Sequence, residues 1–137
     1  MSEVLIAVDD DGDRAGAMAR TLTGLPVDPT AVTATITHVF TDNPEGIAIH
    51  KVQSVRTLRD QLEDAGFDVE LVELSGDPSH EILTLAERRD VDLLCLAGRK
   101  RSATGKVIFG SVTQDVILGT DRPVLVAETA TKGGRGG

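Results

Sequence analysis

The sequence predicts an α/β domain: a single, doubly wound, mostly parallel sheet of five strands with helices on both faces. Two observations predict it. Short continuous apolar runs such as Val4-Leu5-Ile6-Ala7-Val8 mark strands covered on both sides. Segments with apolar residues at helical spacing alternate with those runs, and a βα alternation of this kind builds a parallel sheet.

The elements follow in order. The first strand ends in the turn cluster Asp9-Asp10-Asp11-Gly12. Ala15, Met18, Ala19 and Leu22 then recur at helical spacing, and Gly24 and Pro26 close that helix. Residues 30–40 are rich in Val, Ile and Thr and read as a second strand. A loop follows over 41–46. From Ile47, the apolar positions Val52, Val55, Leu58, Leu62 and Ala65 make one helical face, with Lys51, Arg56, Arg59, Asp60 and Glu63 outside it and His50 on its exposed edge. Gly66 suits a helix C-terminus. Residues 67–74 alternate apolar and acidic, as a strand at a sheet edge does. Asp77 and Pro78 then start a helix, one as cap and the other as first residue, with Ile82, Leu85 and Ala86 inward. Residues 91–97 form a fourth, strongly apolar strand; a polar, glycine-punctuated loop leads to a helix over 111–118. Arg122-Pro123 enters the last strand, Val124-Leu125-Val126-Ala127. The domain is expected over 1–130, and the glycine-rich 131–137 as a flexible tail.

Composition narrows the function classes. The chain of 137 residues is long enough to bury a full core without disulfides or a structural metal. Its one cysteine, Cys95, sits in an apolar strand and points to an inert core residue in a reducing compartment. No apolar run has the length of a membrane span, and no leader pattern opens the sequence, so the expectation is a soluble cytoplasmic protein. The net charge of -8 argues against nonspecific nucleic-acid binding. Four lysines stand against ten arginines and fourteen aspartates, a balance that suits concentrated salt as well as an ordinary acidic cytoplasm.

Two strand ends carry the chemistry expected of a ligand site, because ligands of open α/β sheets bind beyond the carboxyl ends of the strands. One is Asp9. The other runs from Gly98 through Arg99, Lys100 and Arg101 to Phe109-Gly110-Ser111-Val112-Thr113, a basic, glycine- and hydroxyl-rich stretch in an acidic chain. A helix opening at Gly110-Ser111 would present free N–H groups and a partial positive charge to a phosphate, with Ser111 and Thr113 as further donors. The bland reading is that Ser111 is an N-cap and the basic residues are solvated surface. Neither a P-loop nor a dinucleotide fingerprint is present: Lys100 replaces the leading glycine of the former, and aspartates follow the first strand. His38, His50 and His80 show no metal-ligand spacing, and Ser79-His80 has no acidic third partner for a hydrolase triad.

The chain resembles the universal stress protein A family. The resemblance runs from Val4 to Ala127 and rests on Val8-Asp9, Thr37-His38-Val39, Gly76-Asp77-Pro78 and Val91-Asp92-Leu93-Leu94. Its most specific stretches are Phe109-Gly110-Ser111-Val112-Thr113-Gln114-Asp115-Val116-Ile117 and Arg122-Pro123-Val124-Leu125-Val126. It implies a parallel sheet in the order 3-2-1-4-5 and a homodimer paired through the last strand, Val124 to Ala127. Some members bind ATP through Gly, two residues, Gly, nine residues, then Gly-Ser/Thr. Counting back from Gly110 places Lys100 and Ala97 at the two leading glycines, so only Gly110-Ser111 keeps the pattern. Arg99, Lys100, Arg101 and Lys106 still favour an anion there. The same mapping places Asp9 and Val39 on the adenine and ribose side.

The sequence therefore leads to a cytoplasmic stress-response regulator or sensor binding an adenine nucleotide (ATP, ADP or AMP) or another anion at Asp9, Val39, Ala97, Gly98, Arg99, Lys100, Gly110, Ser111, Val112 and Thr113. The competing reading is a dimeric interaction module of the same fold that binds no nucleotide. Slow ATP hydrolysis is a third reading, without a dedicated base or metal cluster to carry it.

Overall fold

The chain winds outward from a central strand in two directions. The computed structural model describes residues 2–101 and 107–128, with the backbone alone at 99–101, 107 and 108. Strand β1 (Ser2–Ala7) is followed by helix α1 (Gly12–Thr23), β2 (Val32–Phe40), α2 (Gln53–Asp64), β3 (Asp68–Ser75), α3 (Pro78–Arg89), β4 (Leu93–Arg101), β5 (Val107–Ile108), α4 (Ser111–Gly119) and β6 (Val124–Glu128). The parallel strands lie in the order β3-β2-β1-β4-β6. This is the expected 3-2-1-4-5 order, with β6 as the fifth parallel strand. The direction of winding reverses between β1 and β4, which opens a crevice at their carboxyl ends.

Two apolar layers sandwich the sheet. Helices α1 and α2 cover one face through Met18, Leu22, Val55, Leu58 and Leu62, packed on Val4, Ile6 and Ile36. Helix α3 and Val116 of α4 cover the other through Ile82, Leu85 and Ala86, packed on Leu5, Leu94 and Leu96. Strand β1 alternates between the layers, so its unbroken apolar run is explained by burial on both faces. Strand β3 is an edge of the sheet, as its alternation predicts.

Local chemistry sets the helix starts. The Asp11 carboxylate accepts the amides of Asp13 (2.9 Å) and Arg14 (3.1 Å), capping α1. Asp77 accepts the His80 amide at 3.1 Å, and Pro78 takes the first position of α3.

Two elements depart from expectation. Helix α2 begins at Gln53, later than the apolar stripe implied. Residues Ile49–Lys51 form a 3₁₀ turn, Val52 is extended, and Ile47 is 43% exposed. The Ile49 amide is drawn to the Glu73 carboxylate (3.1 Å), and the Asn43 side chain brackets Ile47 through both its N–H and C=O. Those bonds compete with helical ones, so Ile49 and Val52 reach the core from a non-helical backbone. The second departure is at Gly98. Strand β4 continues to Arg101 and turns back as an antiparallel pair, Lys100 opposite Ile108 and Arg101 opposite Val107. Gly98 has φ +103°, and the pairing with β6 slips by one residue between Leu96 and Arg99. Only glycine takes that φ without strain, so Gly98 makes a bulge that lets the strand pass on.

A cleft at the carboxyl ends of the strands

The crevice predicted by the winding is present as a cleft of about 600 Å³. Its floor is the end of β1 with Asp9 and Asp10, the end of β2 from Thr37 to Phe40, and Leu96 and Ala97 of β4. Pro78 and Ile82 of α3 and Val112 and Thr113 of α4 form one wall; Asp42, Asn43, Ile47, Lys51 and Val52 form the other.

Three side chains hold the strand ends that make this floor. The buried Ser54 hydroxyl on α2 donates to the Asp9 carbonyl. His38 Nδ1 donates to the Val8 carbonyl at 2.8 Å, which places the proton on Nδ1 and leaves Nε2 as an acceptor in the neutral ring. The ring packs edge-on against Phe40, with centroids 4.7 Å apart. The Thr113 hydroxyl donates to the Ala97 carbonyl at 2.7 Å. Carbonyls at strand ends run out of ladder partners, and these bonds satisfy them while fixing the loops.

Asp9 serves the turn and the cleft together. One carboxylate oxygen accepts the Asp11 amide (3.0 Å); the other pairs with Arg14 Nη1 (2.8 Å), and the hydrogen bond to Asp9 holds the Arg14 guanidinium still more firmly protonated. The Asp9 side chain remains half exposed.

The expected site residues divide into three groups. Asp9, Val39, Ala97, Val112 and Thr113 come together around the cleft. Gly98 lies just beyond, where an added Cβ would stand 3.6 Å from the Thr113 hydroxyl. Gly110 and Ser111 open α4 on the exposed side. The backbones of Arg99 and Lys100 lie in β4, while their side chains, with residues 102–106, fall outside the described residues.

Two roles need correction. The Thr113 hydroxyl is not a free donor, since it is spent on Ala97. Ser111 is not an N-cap: Gly110 holds that position, and no side chain caps α4. The first amides of α4, like those of α2, thus lack the side-chain partner that Asp11 and Asp77 give α1 and α3. Sequence reasoning also passed over Ser54, His38 and Lys51. The signal for Ser54 was legible, because positions 54, 58 and 62 share one helical face, and a serine there must find a partner.

Burial pushes the Cys95 thiol up to about 12, so it is unreactive in the native core. Among the described residues, no three His, Cys, Asp or Glu side chains gather as metal ligands. No helix among them is long and apolar enough to cross a membrane.

The geometry has known counterparts. A universal stress protein of Methanocaldococcus jannaschii is 32% identical over 74 residues, which is 54% of this chain and 46% of that protein. The match thus spans about half the length of that curated relative. A universal stress protein structure from Archaeoglobus fulgidus superposes with a TM-score of 0.72 at 27% identity, covering 93% of this chain and 98% of the other. A universal stress protein in complex with cAMP gives 0.70 at 21% identity, covering 94% and 98%. Other solved members of similar fold hold dAMP and AMP. The model of the universal stress protein family matches residues 1–128, and the chain belongs to that family.

Proposed function

We propose that the cleft binds an adenine nucleotide and that the protein acts as a cytoplasmic, nucleotide-responsive regulator of the stress response. The observation that carries this is convergence. Asp9, Val39, Ala97 and Val112, distant in sequence, meet around one cleft at the reversal of strand order. Relatives of the same fold are described with cAMP, dAMP and AMP. Base and ribose lie toward Val39 and Asp9, whose carboxylate accepts from ribose hydroxyls. The phosphate lies toward the uncapped start of α4, where an added Cβ on Gly110 would meet nothing within 4 Å. Arg99 and Lys100 supply charge in place of the missing glycines.

Among the described residues β6 pairs with β4 alone, and its other edge faces away from the sheet. Pairing of Val124 to Ala127 with a second copy would cover that edge and form a homodimer. Light scattering at the monomer mass would overturn the dimer.

A second reading, a dimeric module without nucleotide, is favoured by the lining itself. Asp9, Asp10 and Asp42 outnumber Lys51, and Ala97 stands where the motif has glycine. Isothermal titration with ATP, ADP and AMP separates the two. Saturable heat with any of them supports the first reading. No heat with a folded sample overturns it. With no Trp or Tyr, co-purified nucleotide would also show plainly as absorbance near 260 nm.

A further inference from the structure

We infer that His38 is a positioning residue for the sugar of the ligand, a role that rests on the cleft being the nucleotide site. By holding the peptide before Asp9, it sets how well the site tells a ribose from a sugar without hydroxyls. One exposed carboxylate is held with unusual care. The Asp9 side chain is 48% exposed at the rim of the cleft. Its two oxygens nevertheless take the Asp11 amide and the Arg14 guanidinium, one each. Its own carbonyl is held by Ser54 on α2, and the Val8 carbonyl before it by His38 on β2, at 2.8 Å. The last two bonds fix the peptide planes on either side of the Asp9 Cα; the first two fix the side chain. A turn alone needs only the Asp11 bond. Each carboxylate oxygen keeps a lone pair for a further donor. A carboxylate ordered in advance suits a ligand with hydroxyl groups, because binding then carries little ordering cost.

Within this set, His38 is the residue placed between the two halves of the ligand. It lines the cleft, is partly exposed, and directly precedes Val39. Pairing of β1 with β2 ends at Ala7 opposite Thr37, and the Val8 amide adds one bond to the Thr37 carbonyl (3.0 Å). Past that rung, the imidazole ties the end of β1 to β2. It therefore sets the spacing between Val39 on the base side and Asp9 on the ribose side. Phe40 shares its face of β2 and packs edge-on against the ring, with centroids 4.7 Å apart, which fixes the ring's orientation.

The test compares AMP with its 2′,3′-dideoxy analogue by isothermal titration of the full chain. The native protein should bind AMP about tenfold or more tightly than the analogue, as a hydrogen bond to a carboxylate implies. His38→Phe keeps a ring beside Phe40 but has no donor. It should bring the ratio close to unity by weakening AMP, while the affinity for the analogue stays near native. His38→Leu, also without a donor, carries the same expectation and guards against a poor fit of the larger ring. His38→Asn, whose side-chain amide can donate to the same carbonyl, should restore most of the ratio. Two-dimensional amide spectra establish that each variant is folded. An unchanged ratio in the folded variants without a donor, or equal weakening of both nucleotides, overturns the role of His38 and leaves the nucleotide reading standing. So does a native protein that binds AMP and the analogue alike. Failure of AMP to bind the native protein overturns the nucleotide reading itself, and the role of His38 with it.

Discussion

The two ends of the sheet use charge in opposite ways. At the amino end, charges satisfy one another. Arg89 bonds Glu3 (2.9 Å) and Glu70 (2.7 Å), and Glu3 also accepts from the fully buried Thr35 hydroxyl (2.7 Å). That network ties α3 to β1, β2 and β3. Arg122 similarly bonds the Val91 carbonyl (3.0 Å) and Asp90 (2.7 Å). At the carboxyl end, hydroxyl and imidazole groups hold the strand-end carbonyls, and charged groups stand at the rim of a cleft. One end ties its strands to α3 with ion pairs; the other leaves polar groups at the rim of a cleft, where ligands of open α/β sheets bind.

The contrast can be broken most severely at Gly98. Its φ of +103° is a conformation that side chains rarely adopt. Gly98→Ala should cost about 1–3 kcal/mol in denaturant unfolding and weaken nucleotide binding, since the bulge sets the Ala97 carbonyl. Arg89→Ala should cost about 1–2 kcal/mol by leaving Glu3 and Glu70 short of a partner, and should leave nucleotide affinity unchanged. Ser54→Ala should cost about 1 kcal/mol and weaken nucleotide binding as well, because the Asp9 carbonyl loses its anchor. A stability loss at Ser54 with unaltered affinity would show that the loop needs no clamp.

At Gly110 the balance between stability and binding is reversed. The φ of Gly110 is −67°, open to any residue, and among the described residues nothing lies within 4 Å of its Cβ position. Gly110→Ala should therefore cost only about 0.5 kcal/mol of stability. A nucleotide phosphate at that turn would feel the methyl group, so affinity should fall about tenfold, equivalent to about 1.4 kcal/mol. The smallest effect is expected at Cys95. Its thiol should resist alkylation in the native protein at pH 8 and react on unfolding. Because its folded value of about 12 exceeds the ordinary 9.0, the unfolded chain releases this proton first. Stability from this group is complete below pH 9 and declines as pH rises toward 12.

Much of the fold was legible because it depends on period and punctuation. The run Val4 to Val8 shows burial on both faces, the alternation after Phe67 shows an edge, and Asp77-Pro78 marks a helix start. What escaped depends on long-range partners. Nothing local says that Glu73 takes the Ile49 amide, so the start of α2 was misplaced. The bulge at Gly98 required knowing that β6 runs beside β4. Around the cleft, Asp9, Val39, Ala97, Val112 and Thr113 were legible through the family pattern. The partners of Ser54 and His38 were not, since these bonds join residues 45 and 30 positions apart.

The nucleotide is proposed to bind in the carboxyl-end cleft. The most direct measurement is an AMP titration followed by backbone amide shifts. Saturable shifts are expected at Asp9, Val39, Ala97 and Val112, with Ser2, Ala34 and Asp92 unmoved. Absence of saturable shifts, or shifts centred on the amino end of the sheet, would contradict it.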